Sequence, residues 1–296
     1  AWRALFPLVV AQGSTGGNLM VILSARNVDV LLGSRQVLTG ASMEVRPGEL
    51  VAVLGPNGAG KSTFLNVLSG EQKTQSGDVR VGADELQHLS PASLACKRAL
   101  MPQKASLSFP FKVRDVVAMG RDPFRASVDA ASNKNAVDWA LQETDILHLA
   151  GRVYTQLSGG EQQRVQLARV LAQVWRKTDE EPRFLLLDEP TSSLDLAHQH
   201  SVLHLAGRLA EKGVGVVAVV HDLNLAALYA TRVVILSNGC VVAAGVPEDV
   251  LQPSLIADVF NLSVHRVEDP DSGRKLIVPT GNHRRSASVI AIRRAL

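Results

Sequence analysis

The sequence predicts an α/β fold in which helices cover both faces of a parallel sheet. Short apolar runs, each with the length of a buried strand, occur at residues 50–55, 184–188, 214–220 and 232–237. Segments with helical character, such as residues 194–212, separate these runs. Strands that alternate with helices pair in parallel, because each crossover helix returns the chain to the end of the sheet where the previous strand began.

A different pattern precedes the first buried run and predicts antiparallel strands. Apolar residues alternate through residues 21–45, and Gly33, Ser34 and Gly40 interrupt the alternation as turn residues do. We therefore expect an N-terminal antiparallel β subdomain. Over about residues 104–165 the pattern becomes mostly helical, which predicts a helical subdomain inserted into the α/β core.

Composition argues against several classes of function. The formal net charge is only +3, which does not suggest nucleic-acid binding. Cys96 and Cys240 lie far apart and outside any CxxC pair, which fits a reduced cytosolic chain and argues against a disulfide framework or a thiolate metal site. No apolar run approaches the length of a membrane-spanning helix. We therefore expect the chain to reach a membrane only through other subunits.

A glycine-rich loop, GPNGAGKST, follows the first buried run and precedes an apolar helix. Its spacing is G-x-x-x-x-G-K-[ST], in which backbone N–H groups wrap phosphates, Lys61 adds a positive charge and the Ser62 hydroxyl can ligate Mg²⁺. The sequence therefore predicts a nucleotide site. Its candidate binding residues are Gly55, Pro56, Asn57, Gly58, Ala59, Gly60, Lys61, Ser62 and Thr63.

Two acidic residues end the second buried run. Asp188 at the strand tip is placed to hold Mg²⁺ through water. Glu189 follows, and a carboxylate there can orient and polarise an attacking water, a contribution of about 10²–10⁴-fold. A solvated acidic pair is the alternative interpretation, and the neighbouring phosphate loop makes it the weaker one.

A second anion site is indicated at LSGGE, residues 157–161. Ser158 and Glu161 have the spacing of a helix capping box, and small residues at a helix N-terminus leave N–H groups open to phosphate. One nucleotide does not need two phosphate sites from one chain. If two chains pack head to tail, however, Ser158, Gly159 and Gly160 of one chain can close over the γ-phosphate that the other holds.

Together these motifs resemble those of the ATP-binding subunit of an ABC transporter. LSGGE is similar to the signature motif of that family. The likeness extends over about residues 21–279. It implies a P-loop NTPase (RecA-like) core with an N-terminal antiparallel β subdomain and a helical subdomain insertion. It also implies ATP and Mg²⁺ as cofactors and a homodimer of ATPase subunits.

The resemblance extends to three further positions. Gln103 matches the Q-loop, which implies contact with Mg²⁺ or water and a link to the membrane partner. Asp195 matches the D-loop, which meets the other subunit, and His221 matches the histidine that contacts the γ-phosphate. Without the resemblance, a lone histidine at a strand end is more often structural. The implied catalytic residues are Glu189, His221, Gln103 and Lys61, and the implied Mg²⁺ residues are Ser62, Gln103 and Asp188.

One position departs from the family pattern. The family stacks adenine on an aromatic side chain shortly before the phosphate loop, whereas VDVLLGSRQVL at residues 28–38 contains none. We expect Leu31 or Leu32 to lie under the base. An aliphatic contact weakens stacking without abolishing nucleotide binding.

Two features bear on the cargo. Phe109, Pro110 and Phe111 resemble the segment after the Q-loop in importers of iron–siderophore complexes, haem and cobalamin, where it faces the permease; alternatively, both phenylalanines fill the helical core. An insertion at residues 175–181, with the segment that follows residue 221, is most similar to haem-importer ATPases. We therefore expect haem as cargo, with a siderophore or cobalamin as the alternative.

The chain divides into three parts. Residues 1–20 are interpreted as a flexible extension outside the native fold, because Pro7 breaks their apolar stretch and residues 12–18 are linker-like. Residues 21–280 form one nucleotide-binding domain, and residues 281–296 form a basic, solvated tail.

The sequence thus predicts an ATPase subunit at the cytoplasmic face of the bacterial inner membrane. The resemblance implies transmembrane permease subunits and a periplasmic substrate-binding protein as partners. Two other interpretations stay open: a soluble ABC ATPase that acts on DNA or ribosomes, and a P-loop kinase. The first usually carries coiled-coil arms or tandem ATPase domains, and the second would have no use for the LSGGE helix.

Overall fold

The computed structural model describes residues 21–103, 107–176, 182–270 and 273–280. The extension at residues 1–20, the tail at residues 281–296 and most of the insertion at residues 175–181 lie outside the described residues. The strands are β1 (Leu23–Leu32), β2 (Arg35–Val45), β3 (Leu50–Leu54), β4 (Ser76–Val81), β5 (Asp84–Glu85), β6 (Arg98–Met101), β7 (Arg183–Asp188), β8 (Val214–Val219), β9 (Arg232–Ser237), β10 (Cys240–Gly245), β11 (Val264–Glu268) and β12 (Lys275–Pro279). The helices are α1 (Lys61–Ser69), α2 (Pro91–Lys97), α3 (Val113–Ala118), α4 (Ala130–Glu143), α5 (Gly159–Val174), α6 (Leu196–Glu211), α7 (Leu223–Tyr229), α8 (Pro247–Val250) and α9 (Pro253–Phe260).

The central sheet has the strand order β10-β9-β3-β8-β7-β6. Strands β9, β3, β8, β7 and β6 pair in parallel, and β10 pairs antiparallel with β9 at one edge. All four predicted buried runs lie in this sheet, so the prediction of a parallel α/β core is confirmed. Strands β6 and β10 were not predicted.

Both faces of the sheet are covered, as the apolar composition of its strands requires. Leu185 and Leu187 point to the face covered by α5 and α6, whereas Phe184 and Leu186 point to the face covered by α1 and the N-terminal strands. Every residue of β3, β7 and β8 is buried. The loops that leave the carboxyl ends of these strands therefore start from a rigid edge, where α/β proteins bind ligands.

The N-terminal strands form a separate sheet of order β2-β1-β4-β5, and all its pairs are antiparallel. This confirms the predicted antiparallel subdomain. Leu38 and Val45 of β2 are fully buried against the central sheet and α1. The turn between β1 and β2 brings Leu32 opposite Arg35 at the end of the subdomain.

Helices α3 and α4 pack against α5 and, together with it, form a helical layer beside the sheet. Helix α5 runs without a break from Gly159 to Val174 and also contacts β6 and β7. The predicted boundary near residue 165 thus falls inside a helix shared by both parts, and the domain boundaries stay a prediction. None of the helices in the described ranges combines the length and the apolar character that crossing a bilayer requires.

After β10 the chain adds α8, α9 and the hairpin of β11 and β12, which the sequence patterns did not predict. Asn224 of α7 holds this hairpin with its side-chain amide. Its Oδ1 accepts a hydrogen bond from Ile277 N (2.7 Å), and its Nδ2 donates to Ile277 O (3.1 Å). One amide thus pairs with β12 as a neighbouring strand would.

Gly120, which follows α3, lies directly against the backbone of α5. A Cβ at this buried position would lie 2.1 Å from the carbonyl oxygen of Arg169, so the two backbones would have to separate. We expect Gly120→Ala to lower the free energy of unfolding by about 1–3 kcal/mol, the usual cost of overpacking. The midpoint of urea unfolding measures the change.

Gly207 of α6 serves as the matched control, because a Cβ there meets no atom within 4 Å. Gly207→Ala should raise stability by about 0.5–1 kcal/mol through the helix propensity of alanine. Equal effects of the two substitutions would contradict the close approach at Gly120.

Candidate nucleotide site

The phosphate loop connects β3 to α1 and depends on glycine at its first position. A Cβ at Gly55 would lie 2.2 Å from the carbonyl oxygen of Leu236, a distance that no side chain tolerates. The last loop glycine, Gly60, has φ of +99°, a conformation that favours glycine. The backbone of β9 therefore lies directly against the loop and restricts its conformation.

Lys61 begins α1, and its ammonium group lies across the loop. Nζ donates to the carbonyl oxygens of Gly55 (2.7 Å) and Pro56 (3.0 Å), and the residue is 6% exposed. Burial lowers the pKa of Lys61, while the charges of Glu189 and Asp188 act in the opposite direction. A buried cation next to a loop of N–H groups is well placed to attract a polyphosphate.

Asp188 ends β7 and is buried at 4% exposure. It accepts a hydrogen bond from Ser62 Oγ to Oδ1 (3.1 Å). Burial raises the pKa of Asp188, an effect that the hydrogen bond from Ser62 opposes. A hydroxyl beside a carboxylate offers the oxygen donors that Mg²⁺ prefers, and Mg²⁺ takes its other ligands from water and phosphate. This pair therefore fits the predicted metal.

Glu189 is held at both carboxylate oxygens. Gln103 Nε2 donates to Oε2 (2.7 Å), and His221 Nε2 lies 2.8 Å from Oε1. The Glu189 side chain is 14% exposed, whereas His221 is 47% exposed. The structure thus brings together three predicted residues that follow three different strands of the sheet, β6, β7 and β8.

Gln103 and Glu189 line a cleft of about 460 Å³ together with residues of the phosphate loop, and His221 contacts Glu189 without lining the cleft. Leu32 lies in its wall and Leu31 does not, and the placement of either leucine under the base stays a prediction. Arg35 and Val37 also line the cleft and were missed. The turn at Gly33 was the sequence signal for Arg35, because this turn places Arg35 opposite Leu32. The planar guanidinium of Arg35 can stack on a flat ring.

The predicted second anion site lies elsewhere on the molecule. None of Ser158, Gly159, Gly160 and Asp195 lines the cleft that contains Lys61. The predicted capping box is confirmed: Ser158 N donates to Glu161 Oε2 (2.8 Å), and Glu161 N donates to Ser158 Oγ (3.4 Å). Hydrogen bonds from Ser158 lower the pKa of Glu161. A Cβ at Gly159 would meet no atom within 4 Å, so this helix start is open to an approaching group.

Asp195 is the N-cap of α6 and already has local partners. It accepts hydrogen bonds from His198 N (2.9 Å) and His198 Nδ1 (2.7 Å), which lower the pKa of the Asp195 carboxyl. Its side chain is 69% exposed. The role expected of it at a subunit interface stays a prediction.

Residues 38–192 match the model of a protein family described as "ABC transporter". A hemin import ATP-binding protein HmuV from Gloeobacter violaceus is 45% identical over 269 residues, which cover 91% of this chain and 96% of that protein. The chain belongs to the ABC transporter family. A second HmuV, from Myxococcus xanthus, is 46% identical over 259 residues and covers 88% of this chain and 97% of its own.

Solved ABC structures agree with this membership. An inward-facing metal-chelate type ABC transporter aligns with a TM-score of 0.72 at 28% identity, covering 88% of this chain and 97% of that one. The ATP-binding cassette MJ0796, a dimer in a post-hydrolysis state with ADP and Pi, aligns with a TM-score of 0.65 at 25% identity, covering 76% of this chain and 98% of its own. The family recognised from the motifs is confirmed, and the chain is an ABC-type ATPase that binds ATP.

Lys61 provides a direct test of the ABC nucleotide site. Lys61→Ala removes a buried ammonium from the phosphate loop, and we expect ATP affinity to fall about 10–100-fold, as the loss of charge-assisted hydrogen bonds predicts. Isothermal titration calorimetry measures the change. Lys212→Ala, at the exposed C-terminal end of α6, should bind ATP as the wild type does. Equal affinities of the two variants would contradict the assignment of the loop.

Proposed function

We propose that this chain is the ATP-hydrolysing subunit of a membrane importer and powers the uptake of haem through a partner permease. The observation that carries the proposal is the Glu189 carboxylate, held between Gln103 and His221 beside the phosphate loop. A carboxylate fixed at both oxygens keeps one orientation. Preorganised groups of this kind cost no reorganisation when the reaction occurs.

In the proposed reaction, Glu189 orients and polarises the water that attacks the γ-phosphate of ATP. The backbone N–H groups of the phosphate loop and the ammonium of Lys61 bind the β- and γ-phosphates. His221 reaches the γ-phosphate from the end of β8 and stabilises the charge that develops there. Each of these groups comes from a rigid strand end, which suits a reaction controlled by positioning.

Ser62 and Asp188 would hold Mg²⁺, with Gln103 at the edge of the site. The ion would neutralise charge on the phosphate oxygens. The hydrogen bond between Ser62 and Asp188 shows that their oxygens already converge. The raised pKa of Asp188 implies that acid weakens this metal site at a higher pH than it would for an ordinary aspartate.

Two chains would form a head-to-tail homodimer around two ATP molecules. In this arrangement Ser158, Gly159 and Gly160 close over the γ-phosphate bound by the partner, and Asp195 lies at the interface. The exposed start of α5 supports this proposal, as does the dimeric MJ0796 cassette. Because only the closed dimer supplies both phosphate sites, ATP binding favours closure and hydrolysis reverses it.

The permease would contact the surface next to Gln103. Phe109 is 69% exposed and Phe111 is 38% exposed, with ring centroids 6.1 Å apart, so neither belongs to the hydrophobic core. Paired exposed aromatic rings are typical of protein interfaces. The chain would thus sit at the cytoplasmic face of the inner membrane, and a periplasmic binding protein would deliver the cargo.

The names of the relatives favour haem as the cargo, because hemin import proteins of two organisms match over nearly their full length. The aligned metal-chelate type transporter keeps an iron–siderophore or cobalamin importer as the second candidate. Both candidates use the same ATPase chemistry. They differ only in the permease that the chain serves.

Glu189→Gln should bind ATP and accumulate as a closed dimer with little turnover. The amide keeps the size of the side chain and loses the negative charge that polarises water. Size-exclusion chromatography with ATP and Mg²⁺ measures the dimer, and phosphate release measures turnover. Glu268→Gln, on the exposed hairpin strand β11, is the control. A Glu189→Gln variant that remained monomeric and fully active would refute the mechanism.

The cargo is tested by transport. The chain is co-purified with its permease from detergent-solubilised membranes of iron-starved cells, identified by mass spectrometry and reconstituted in liposomes with ATP inside. We expect uptake of haem that the Glu189→Gln subunit does not support. Uptake of a ferric siderophore or cobalamin alone would overturn the cargo and keep the ATPase, whereas the absence of any membrane partner would favour a soluble ABC ATPase.

A further inference from the structure

Gln163 lies in the second turn of α5, and its side-chain amide joins this helix to the segment between β7 and α6. Its Nε2 donates to the carbonyl oxygen of Glu189 (3.1 Å), and its Oε1 accepts a hydrogen bond from Ser193 N (3.1 Å). The amide therefore uses one donor and one acceptor to connect the signature helix with the segment between β7 and α6. The sequence motifs assigned no role to this residue.

The backbone that Gln163 holds has an unusual conformation. Glu189 has φ of +50°, in the left-handed region that non-glycine residues rarely occupy. Such a conformation persists only where its surroundings hold it. The carbonyl oxygen of Glu189 accepts hydrogen bonds from Ser192 N (3.2 Å), Ser192 Oγ (3.1 Å) and Gln163 Nε2. Of these three donors, only that of Gln163 comes from outside the segment itself.

The same helix carries the start of the second phosphate site. Gly160 lies against this segment as well, because a Cβ there would be 3.3 Å from Ser193 O. Gln163 follows Gly160 by one helical turn. The start of α5 is thus joined to the backbone of Glu189 through direct contacts.

We propose that Gln163 is a positioning residue that sets the backbone of Glu189 and thereby aims its carboxylate at the attacking water. In the dimer this links the two ATP sites, because the start of α5 contacts the partner's nucleotide while Glu189 acts on its own. The inference rests on the proposed function, in which Glu189 activates water.

The first test compares two variants of Gln163 in the full chain with ATP and Mg²⁺. Gln163→Ala removes both hydrogen bonds, whereas Gln163→Glu keeps the acceptor for Ser193 N and removes the donor to Glu189. We expect kcat to fall about 10–100-fold in both, since small displacements of a positioned group have effects of this size. The KM for ATP should change less than about twofold, because no phosphate contact is lost.

Gln173 on the same helix provides a matched control. Its side-chain amide also joins α5 to the core, through hydrogen bonds to Ala95 O (2.8 Å) and Arg98 O (3.0 Å), away from Glu189. Gln173→Ala should lower the melting temperature about as much as Gln163→Ala and leave kcat near that of the wild type. An equal loss of kcat in both variants would mean that Gln163 has only a structural role.

A double-mutant cycle shows whether Gln163 acts through Glu189. In the Glu189→Gln background, Gln163→Ala should leave the residual hydrolysis rate unchanged, because the carboxylate that it positions is gone. A further decrease as large as in the wild-type background would overturn the inference, as would wild-type kcat in Gln163→Ala. If wild-type hydrolysis did not depend on Glu189 at all, the proposed function itself would fail, and the two failures are therefore distinguishable.

Discussion

The parallel pairing of β3, β8 and β7 is the constraint on which the rest of the molecule depends. Their registers place Val53 beside Val219, and Leu187 beside Ala218, so the three strands end at one edge. The phosphate loop, the acidic pair and His221 leave from that edge. Every residue of these strands is buried, so the edge is firmly packed. Short side chains then suffice to bring Asp188 to Ser62 and His221 to Glu189 within hydrogen-bond distance.

That edge concentrates charge in a poorly solvated place. Burial lowers the pKa of Lys61 and raises that of Asp188, so the surroundings disfavour the charged form of each. The ammonium and the carboxylates stabilise one another in part. A nucleotide with its metal ion would complete the balance of charge, which is why such a cluster indicates a functional site rather than a stabilising one.

Helix α5 connects the helical layer, the central sheet and the predicted second phosphate site. It belongs to the helical layer through α3 and α4, touches the sheet at β6 and β7, and starts at an open capping box. Through Gln163 it also holds the backbone of the residue that follows β7. A single rigid helix therefore connects the surface expected to meet a partner subunit with the residue expected to activate water.

The sequence by itself determined the local structures, because strong local rules apply to them: glycine spacing in the phosphate loop, the capping box at Ser158 and apolar runs for the buried strands. The sequence patterns did not predict elements with a weak local signal. Among them are β6, which has only four residues, and the C-terminal hairpin, which the Asn224 amide attaches to α7. Only the tertiary structure decided which distant side chains meet. Gln103 and Glu189 are 86 positions apart and bond because β6 and β7 are neighbours. The contacts of Arg35 and Gln163 likewise follow from packing, since no sequence period specifies the direction of an amide or a guanidinium.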